Sequence, residues 1–317
     1  MRGWQFERTH KPLELVEKPD PVATEDNVVI KVMASGLCHS DVGALEDEKW
    51  MALMSTPLFI GHEYAGVITE VGEDVTKFKV GDRVGCCPMP TEKHGFLGGY
   101  GRDGGYATMS TAPEEALVPI PEGVTWAQAA AATDAGMTSH HAVVVTGGVK
   151  AGMKVGIIGI GGLGSIGARV AVLKGAEVYA ATRSPEAQKE ALNLGCKAVY
   201  TNILEAAKHD LDVIVDFAGA GTTTADAIEA IGNMGRVVLV GMAKLETTIN
   251  TMPVIMKQVT LVGSQGGTKE DIAAVYEMMA SGDLKPEIIE IGFEEIAEGL
   301  EKLHQGGVKG RMVAMMD

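Results

Sequence analysis

Basic charge is scarce in this chain. The sequence has 27 Lys and Arg against 42 Asp and Glu, a formal net charge of −15. That balance excludes the basic face a nucleic-acid-binding domain needs and offers nothing to an anionic membrane; its plain consequence is solubility. Cysteine is scarcer, with four residues: Cys38, Cys86, Cys87 and Cys196. They make no disulfide framework and fit a reduced, cytoplasmic setting. Long hydrophobic runs are missing too. The longest apolar stretches are broken by glycine and interrupted by Arg169 or Lys174, which excludes a membrane-spanning helix. The N-terminus, MRGWQFERTHK, carries charges and no apolar core of signal-peptide length. There is no internal repeat and no low-complexity tract. Apolar residues make up 46% of the 317, enough for real cores, and the length predicts about two domains.

The most informative stretch is Val155–Gly167, VGIIGIGGLGSIG. An apolar run ends at Gly159-x-Gly161-x-x-Gly164, a helix-like segment follows, and a second strand-like run covers Glu177–Ala181. This strand–turn–helix–strand order is that of a dinucleotide site. The first glycine makes the tight turn, the second lets the backbone approach a pyrophosphate, and the third lets helix and strand pack closely. Gly162 and Leu163 complete the turn, and the pyrophosphate rests on the positive end of the helix.

The rest of the chain changes character once. The first ~125 residues read as short strands with turn punctuation, for example Val28–Met33, Tyr64–Val71 and the turn and strand from Gly81. From about Thr133, strand-like runs alternate with amphipathic segments. Strands are predicted at 155–160, 177–182, 197–200, 212–216, 236–241 and 261–264, and helices at 185–194, 222–231 and 269–280. Six strands in this alternation suit a doubly wound parallel sheet. The tail, with a helix near 294–304 and a strand near 311–316, reads as a return to the first domain.

Cys38, in GLCHSD, and His62, in GHE, each stand at a strand edge beside a turn. Thiolate and imidazole are good zinc donors, and a catalytic zinc takes three protein ligands and leaves one position open. Asp134, in ATDAG, can supply the third as a carboxylate oxygen. A lone cysteine is as readily a small buried hydrophobe and a lone histidine a satisfied polar group, so the residues by themselves leave both readings open. Trp50, Met51, Met54 and Phe59 lie between Cys38 and His62 and suit either an apolar pocket wall or core packing.

With GLCHSD, IGHEYAGVITEVGEDVTKFKVGDRV, DGGYA, AATDAGMTSHHAV, GIGGLGSIG and the closing GRMV in view, the chain resembles the medium-chain dehydrogenase/reductase family, in its zinc-dependent alcohol dehydrogenase branch. The resemblance covers nearly the whole chain. It implies an α/β fold with a GroES-like β-rich catalytic domain over 1–132 and 284–317 and a Rossmann domain over 133–283. It implies zinc on Cys38, His62 and Asp134, the aspartate standing where cysteine is commoner. Glu63 follows the ligand histidine, from where it can approach the metal; an ion pair beside the site is the equal alternative. Ser40 matches a proton-relay hydroxyl, but Gly43 stands where relatives often finish the relay with histidine. Asp41 would orient His62 by accepting its other ring N–H. The resemblance further implies that His39 would face the cofactor phosphates, Thr138 the nicotinamide ring, and Arg311 the pyrophosphate. The family's structural zinc lobe, with four closely spaced cysteines, is reduced here to Cys86-Cys87, so one zinc is expected. A homodimer or homotetramer is implied, extended through the sheet edge near Leu261–Ser264.

The end of the second strand bears on cofactor choice. An NAD site wants a carboxylate there for the ribose 2′-OH, and the sequence reads Ala181-Thr182-Arg183-Ser184. Arg183 can neutralise a 2′-phosphate, and Thr182 and Ser184 can donate to it. Ser184-Pro185 also makes a helix start. The expectation is an alcohol dehydrogenase or carbonyl reductase using zinc and NADP(H) on a small-molecule substrate. The alternatives are a reductase of an activated C=C or C=N bond with zinc absent or idle, and a non-catalytic NADP-binding protein.

Overall fold

Strand Lys154–Ile158 runs directly into Gly159, and helix Gly164–Leu173 follows, in a computed structural model that describes residues 1–95 and 97–316. This strand is the first of six. Glu177–Ala181, Ala198–Tyr200, Leu211–Asp216, Ile231–Leu239 and Thr260–Gly263 complete a sheet of spatial order third, second, first, fourth, fifth, sixth, parallel throughout. Central strands buried on both faces read as continuous apolar runs, and VGII and VIV do so here. The reversal of order falls between the first strand and the fourth, where such sheets open a ligand crevice at their carboxyl ends. The fifth strand starts at Ile231, ahead of the predicted 236. Gly232-Asn233-Met234-Gly235 carries turn chemistry, Met234 sits at φ 59, and the pairing steps from Ile231 directly to Arg236, so these four residues bulge out of the ladder and hide the start of the strand from the sequence pattern.

The larger of the two other sheets is mixed. Asn27–Gly36 lies between Glu63–Val71 and the closing strand Arg311–Met315, antiparallel to both. Beyond Glu63–Val71 come Arg83–Cys86 and Leu117–Pro119, while Met109–Pro113 pairs with Asn27–Gly36. Ile288–Gly292, a strand the sequence reading did not find, runs parallel to Arg311–Met315. A small antiparallel sheet joins Glu14–Glu17, Arg2–Phe6 and Leu58–Phe59. The core under these strands includes Phe6, Ile30, Tyr64, Ile68 and Leu300. Phe59 is fully buried and Trp50, Met51 and Met54 pack against this core.

The chain divides into two compact units, Met1–Asp134 with Thr268–Asp317, and Ala135–Gly267. Helix Lys269–Ala280 has the predicted bounds but goes with the first unit, not with the parallel sheet that the range 133–283 assigned it to. Its Tyr276 is buried and donates its hydroxyl to the Ala129 carbonyl at 3.1 Å. No helix among the described residues is long and apolar enough to cross a membrane.

Candidate active site

Three segments far apart in sequence meet in the first unit. Cys38 ends the loop after Asn27–Gly36 and precedes helix His39–Glu46. His62 precedes strand Glu63–Val71. Asp134 lies on a π-helical turn, Ala132–Gly136, that interrupts the helical segment begun at Trp126. Such wide turns shift a side chain off the α-helical stagger and recur at functional sites.

The ligand atoms of Cys38, His62 and Asp134 lie within 4.8 Å of one another. Cys38 Sγ is 3.3 Å from Asp134 Oδ2 and His62 Nε2 is 3.5 Å from the same oxygen. Tetrahedral zinc, with Zn–S about 2.3 Å and Zn–N or Zn–O about 2.0–2.1 Å, needs edges of roughly 3.3–3.6 Å. The donor set and spacing therefore fit a zinc ion with one position left open. No other group of three or more such side chains converges in this way among the described residues. Cys86 and Cys87 are buried, and burial pushes their thiols up to about 12 and about 11, far from the thiolate a metal requires.

Asp41 organises the ligands. It is the third residue of helix His39–Glu46; its Oδ2 accepts from the Cys38 backbone N–H at 3.2 Å and from the Tyr106 hydroxyl at 2.6 Å. Its Oδ1 lies 3.1 Å from His62 Nδ1. With Nδ1–H donating there, Nε2 is left bare toward the cluster. One carboxylate thus fixes a ligand's backbone and another ligand's tautomer. Tyr106 is fully buried; sequence reasoning passed over it, although it sits in the DGGYA motif. The Tyr100 ring lies 5.0 Å from the His62 ring, tilted by 38°, a second neighbour with no signal in the local pattern.

The electrostatics follow from burial and pairing. Burial opposes a charged His62, but Tyr100, Asp41 and Asp134 outweigh it and raise its pKa well above the ordinary imidazole value. Burial also opposes the Asp134 carboxylate, yet His62, Arg311 and Cys38 hold its pKa below the usual range. Burial pushes Glu63 up to about 7, with Arg311 pulling against it.

Arg311 is buried, with its guanidinium turned to Glu63 and Asp134. Its Nε lies 3.1 and 2.9 Å from the Glu63 oxygens, its Nη2 also bonds Glu63, and Nη2 is 3.3 Å from Asp134 Oδ2. The residue read as a pyrophosphate contact is thus an ion-pair partner, and Glu63 stands in that pair outside the three converging donors. Sheet register makes the pair possible. Gly36 stands opposite Glu63, and a Cβ there would come 2.2 Å from the carboxylate. His39 is exposed and Ser40 half-buried at the start of their helix. At Gly43 a Cβ would meet the Trp50 indole nitrogen at 2.8 Å, so the place of a relay histidine is already filled.

In the second unit the glycine turn behaves as its spacing requires. Gly159 has φ 84, and its N–H donates to the Ala181 carbonyl at 2.9 Å. A Cβ on Gly164 would fall 1.7 Å from the Gly159 oxygen: the helix packs there on bare backbone. At Gly161 a Cβ would meet nothing within 4 Å, and the residue is exposed. The turn is closed by Ser165 N–H on the Gly161 carbonyl at 3.0 Å and by Ser139 Oγ on the Leu163 carbonyl at 2.8 Å. Gly162 and Leu163 lie half-buried between them, and Thr138 is buried on the short helix Met137–His140. An open cradle at a helix N-terminus fits a phosphate group.

At the end of the second strand, Ser184 Oγ accepts from Ala187 N–H at 3.3 Å and donates to Glu186 at 2.7 Å, so the hydroxyl caps helix Pro185–Asn193. Thr182 is half-buried and Arg183 exposed.

Residues 24–122 match the alcohol dehydrogenase GroES-like domain family, and residues 162–281 the zinc-binding dehydrogenase family. An alcohol dehydrogenase of Geobacillus stearothermophilus is 31% identical over 96% of this chain and 95% of its own. A second from that organism is 32% identical over the full length of both. Among solved structures, acetophenone reductase from Geotrichum candidum in complex with NAD superposes with a TM-score of 0.90 at 27% identity, covering 99% of this chain and 96% of that one. The alcohol dehydrogenase of Aeropyrum pernix gives 0.90 at 26%, over 99% and 100%.

Proposed function

Because the chain belongs to the zinc-type medium-chain dehydrogenase/reductase family, whose relatives here are alcohol dehydrogenases, we propose that it interconverts a small-molecule alcohol and its aldehyde or ketone with NADP(H). The chain is an oxidoreductase of the alcohol dehydrogenase type. The observation that carries it is the meeting of Cys38 Sγ, His62 Nε2 and Asp134 within 4.8 Å, supported from outside by Asp41.

When bound, zinc supplies Lewis-acid polarisation of a substrate oxygen, and the nicotinamide gives or takes hydride. The protein's own residues do the rest. Asp41 keeps His62 in the tautomer that offers Nε2. Arg311 balances the charge of Glu63 and Asp134. The Ser40 hydroxyl takes the proton from the substrate oxygen and passes it outward; with Gly43 under Trp50, the path ends at water, not at a second histidine. Gly159, Gly161, Gly162, Leu163 and Gly164 would carry the pyrophosphate, and Thr138 would stand against the nicotinamide.

NADP(H) is favoured by a strand end without a carboxylate and with an exposed guanidinium at Arg183; Thr182 assists, and Ser184 orients the helix start as its cap. The acetophenone reductase was solved with NAD, so the choice here turns on these three residues. The enzyme works in a reduced, cytoplasmic setting as a homodimer or homotetramer joined along the Leu261–Ser264 edge, which light scattering checks.

The test is a panel of aldehydes, ketones and activated alkenes on purified protein, with NADPH and NADH and zinc measured together. Carbonyl reduction that tracks zinc content and prefers NADPH is expected. Reduction of C=C or C=N bonds by zinc-free protein would overturn the zinc chemistry.

A further inference from the structure

Asp216 ends the fourth strand of the parallel sheet and is fully buried. Its carboxylate accepts four hydrogen bonds. Ala218 N–H and Gly219 N–H reach Oδ1 at 3.0 and 2.9 Å, and the Thr223 and Thr224 hydroxyls reach Oδ2 at 2.8 Å each. All four donors are neutral, and the two threonines open helix Thr222–Ala230, whose positive end faces the charge. Its backbone carbonyl accepts twice more, from Val240 and Gly241 N–H, both at 3.0 Å. A buried carboxylate costs several kcal/mol of desolvation. An apolar side chain would fill the volume without that cost, but could not orient two backbone amides and two hydroxyls at once.

What it orients is the loop Phe217–Gly221, and this loop packs against the glycine turn at Gly159 and Gly164 and against the following helix at Gly167. Phe217 N–H donates to the Ile158 carbonyl at 3.0 Å. The Ala218 Cβ would lie 3.2 Å from a Cβ on Gly159, and the Phe217 ring 2.6 Å from one on Gly167. On the far side, a Cβ on Gly219 would come 1.8 Å from the Gly241 oxygen. The loop is wedged, with no slack, between the turn and the end of the fifth strand, at the switch point of the sheet.

We propose that Asp216 is a positioning residue for dinucleotide binding: its carboxylate sets the loop Phe217–Gly221, and the loop sets the cradle between Gly159 and Gly164. The inference rests on the proposed function only in that a nucleotide binds this turn.

The test uses the full-length protein and a binding titration of NADPH, read by fluorescence without turnover. Asp216→Asn keeps the size and one acceptor but turns an N–H₂ toward the threonine hydroxyls. The dissociation constant should rise by about tenfold or more, the scale of one lost hydrogen bond to a charged group. Hydrogen exchange at Ala218 and Gly219 should speed up, while zinc content stays unchanged. Ile228→Val, in the core of the same unit, is the control; it should lower the melting temperature and leave NADPH affinity alone. If Asp216→Asn does not fold, Thr224→Val, which removes one donor, should raise the dissociation constant severalfold. Asp216→Asn melting like the control with unchanged affinity, or Thr224→Val with unchanged affinity, would overturn the inference while the proposed function stands. A wild-type chain that binds neither NADPH nor NADH would overturn both.

Discussion

The Cys38–His62–Asp134 cluster and the glycine turn are made of opposite material. The cluster is built from side chains: a thiol, an imidazole and a carboxylate, held by further side chains from Asp41, Tyr106 and Arg311. Nearly all of it is buried, and its charges are balanced in pairs. The turn is built from backbone, and its working parts are places where a side chain is missing: φ 84 at Gly159, bare contact at Gly164, open space at Gly161. The first region fails when an atom is removed and the second when one is added. Chemistry that must bind a cation and move protons needs titratable groups, whereas a diphosphate is met well enough by N–H groups and a helix dipole.

The sharpest way to break this contrast is Asp134→Ala. It takes a ligand from the cluster and should abolish tight zinc binding. Turnover should fall by more than the 10–100-fold, roughly, that loss of an outer partner of a metal site costs. Metal analysis beside steady-state kinetics checks it, and near-wild-type carbonyl reduction by zinc-free Asp134→Ala protein would remove the metal from the mechanism. In the turn, Gly164→Ala adds a methyl that would fall 1.7 Å from a carbonyl oxygen. It should cost about 1–3 kcal/mol of stability or more and lose nucleotide binding, with zinc retained. Gly161→Ala adds the same methyl where nothing stands within 4 Å; melting should hold while nucleotide affinity falls. Equal melting curves for the two variants would refute the backbone reading.

Ser40→Ala should leave zinc and NADPH binding intact and lower turnover by about a hundredfold, the contribution of a positioned proton-transfer group; unchanged turnover would end the relay assignment. Replacing Arg183 by Ala together with Thr182→Asp should exchange NADPH for NADH, each dissociation constant moving by about tenfold or more. A wild type that already prefers NADH contradicts the reading of that strand end. The smallest effect concerns pH. The His62 pKa is raised in the metal-free fold. The stability this adds is full below the unfolded value of about 6.5 and is lost as pH rises through the folded value. Zinc needs the same nitrogen unprotonated. The gain in melting temperature on adding zinc should therefore shrink from about pH 8 to about pH 6, and a gain that grows toward acid would be the wrong sign.

Much of the fold was legible because its signals are local. The GxGxxG spacing, the Ser184-Pro185 helix start and the bounds of Lys269–Ala280 depend on neighbours within one turn of chain. Where local chemistry and pairing disagree, the reading missed. In the first half of Ile231–Leu239 only Ile231 pairs with the strand beside it, and residues 232–235 bulge out of the ladder with turn chemistry; Ile288–Gly292, IIEIG, is short and lacks the strict alternation that marks a half-buried strand. Cys38, His62 and Asp134 were nameable through resemblance, yet composition and spacing alone left each one a plausible core residue.

By itself, then, the sequence determined a parallel sheet with a backbone-made nucleotide turn, an acidic chain without a membrane-spanning helix, and a short set of candidate metal ligands. Only the tertiary structure decided that Asp134 is presented on a π-helical turn, that Tyr106 stands behind Asp41, and that Arg311 pairs with Glu63. It also decided that Gly43 is closed by Trp50. The physical reason is range. Glycine torsions and helix caps are fixed by covalent neighbours, whereas Arg311 meets Glu63 across 248 positions of chain, through a sheet register that only the folded hydrophobic core selects.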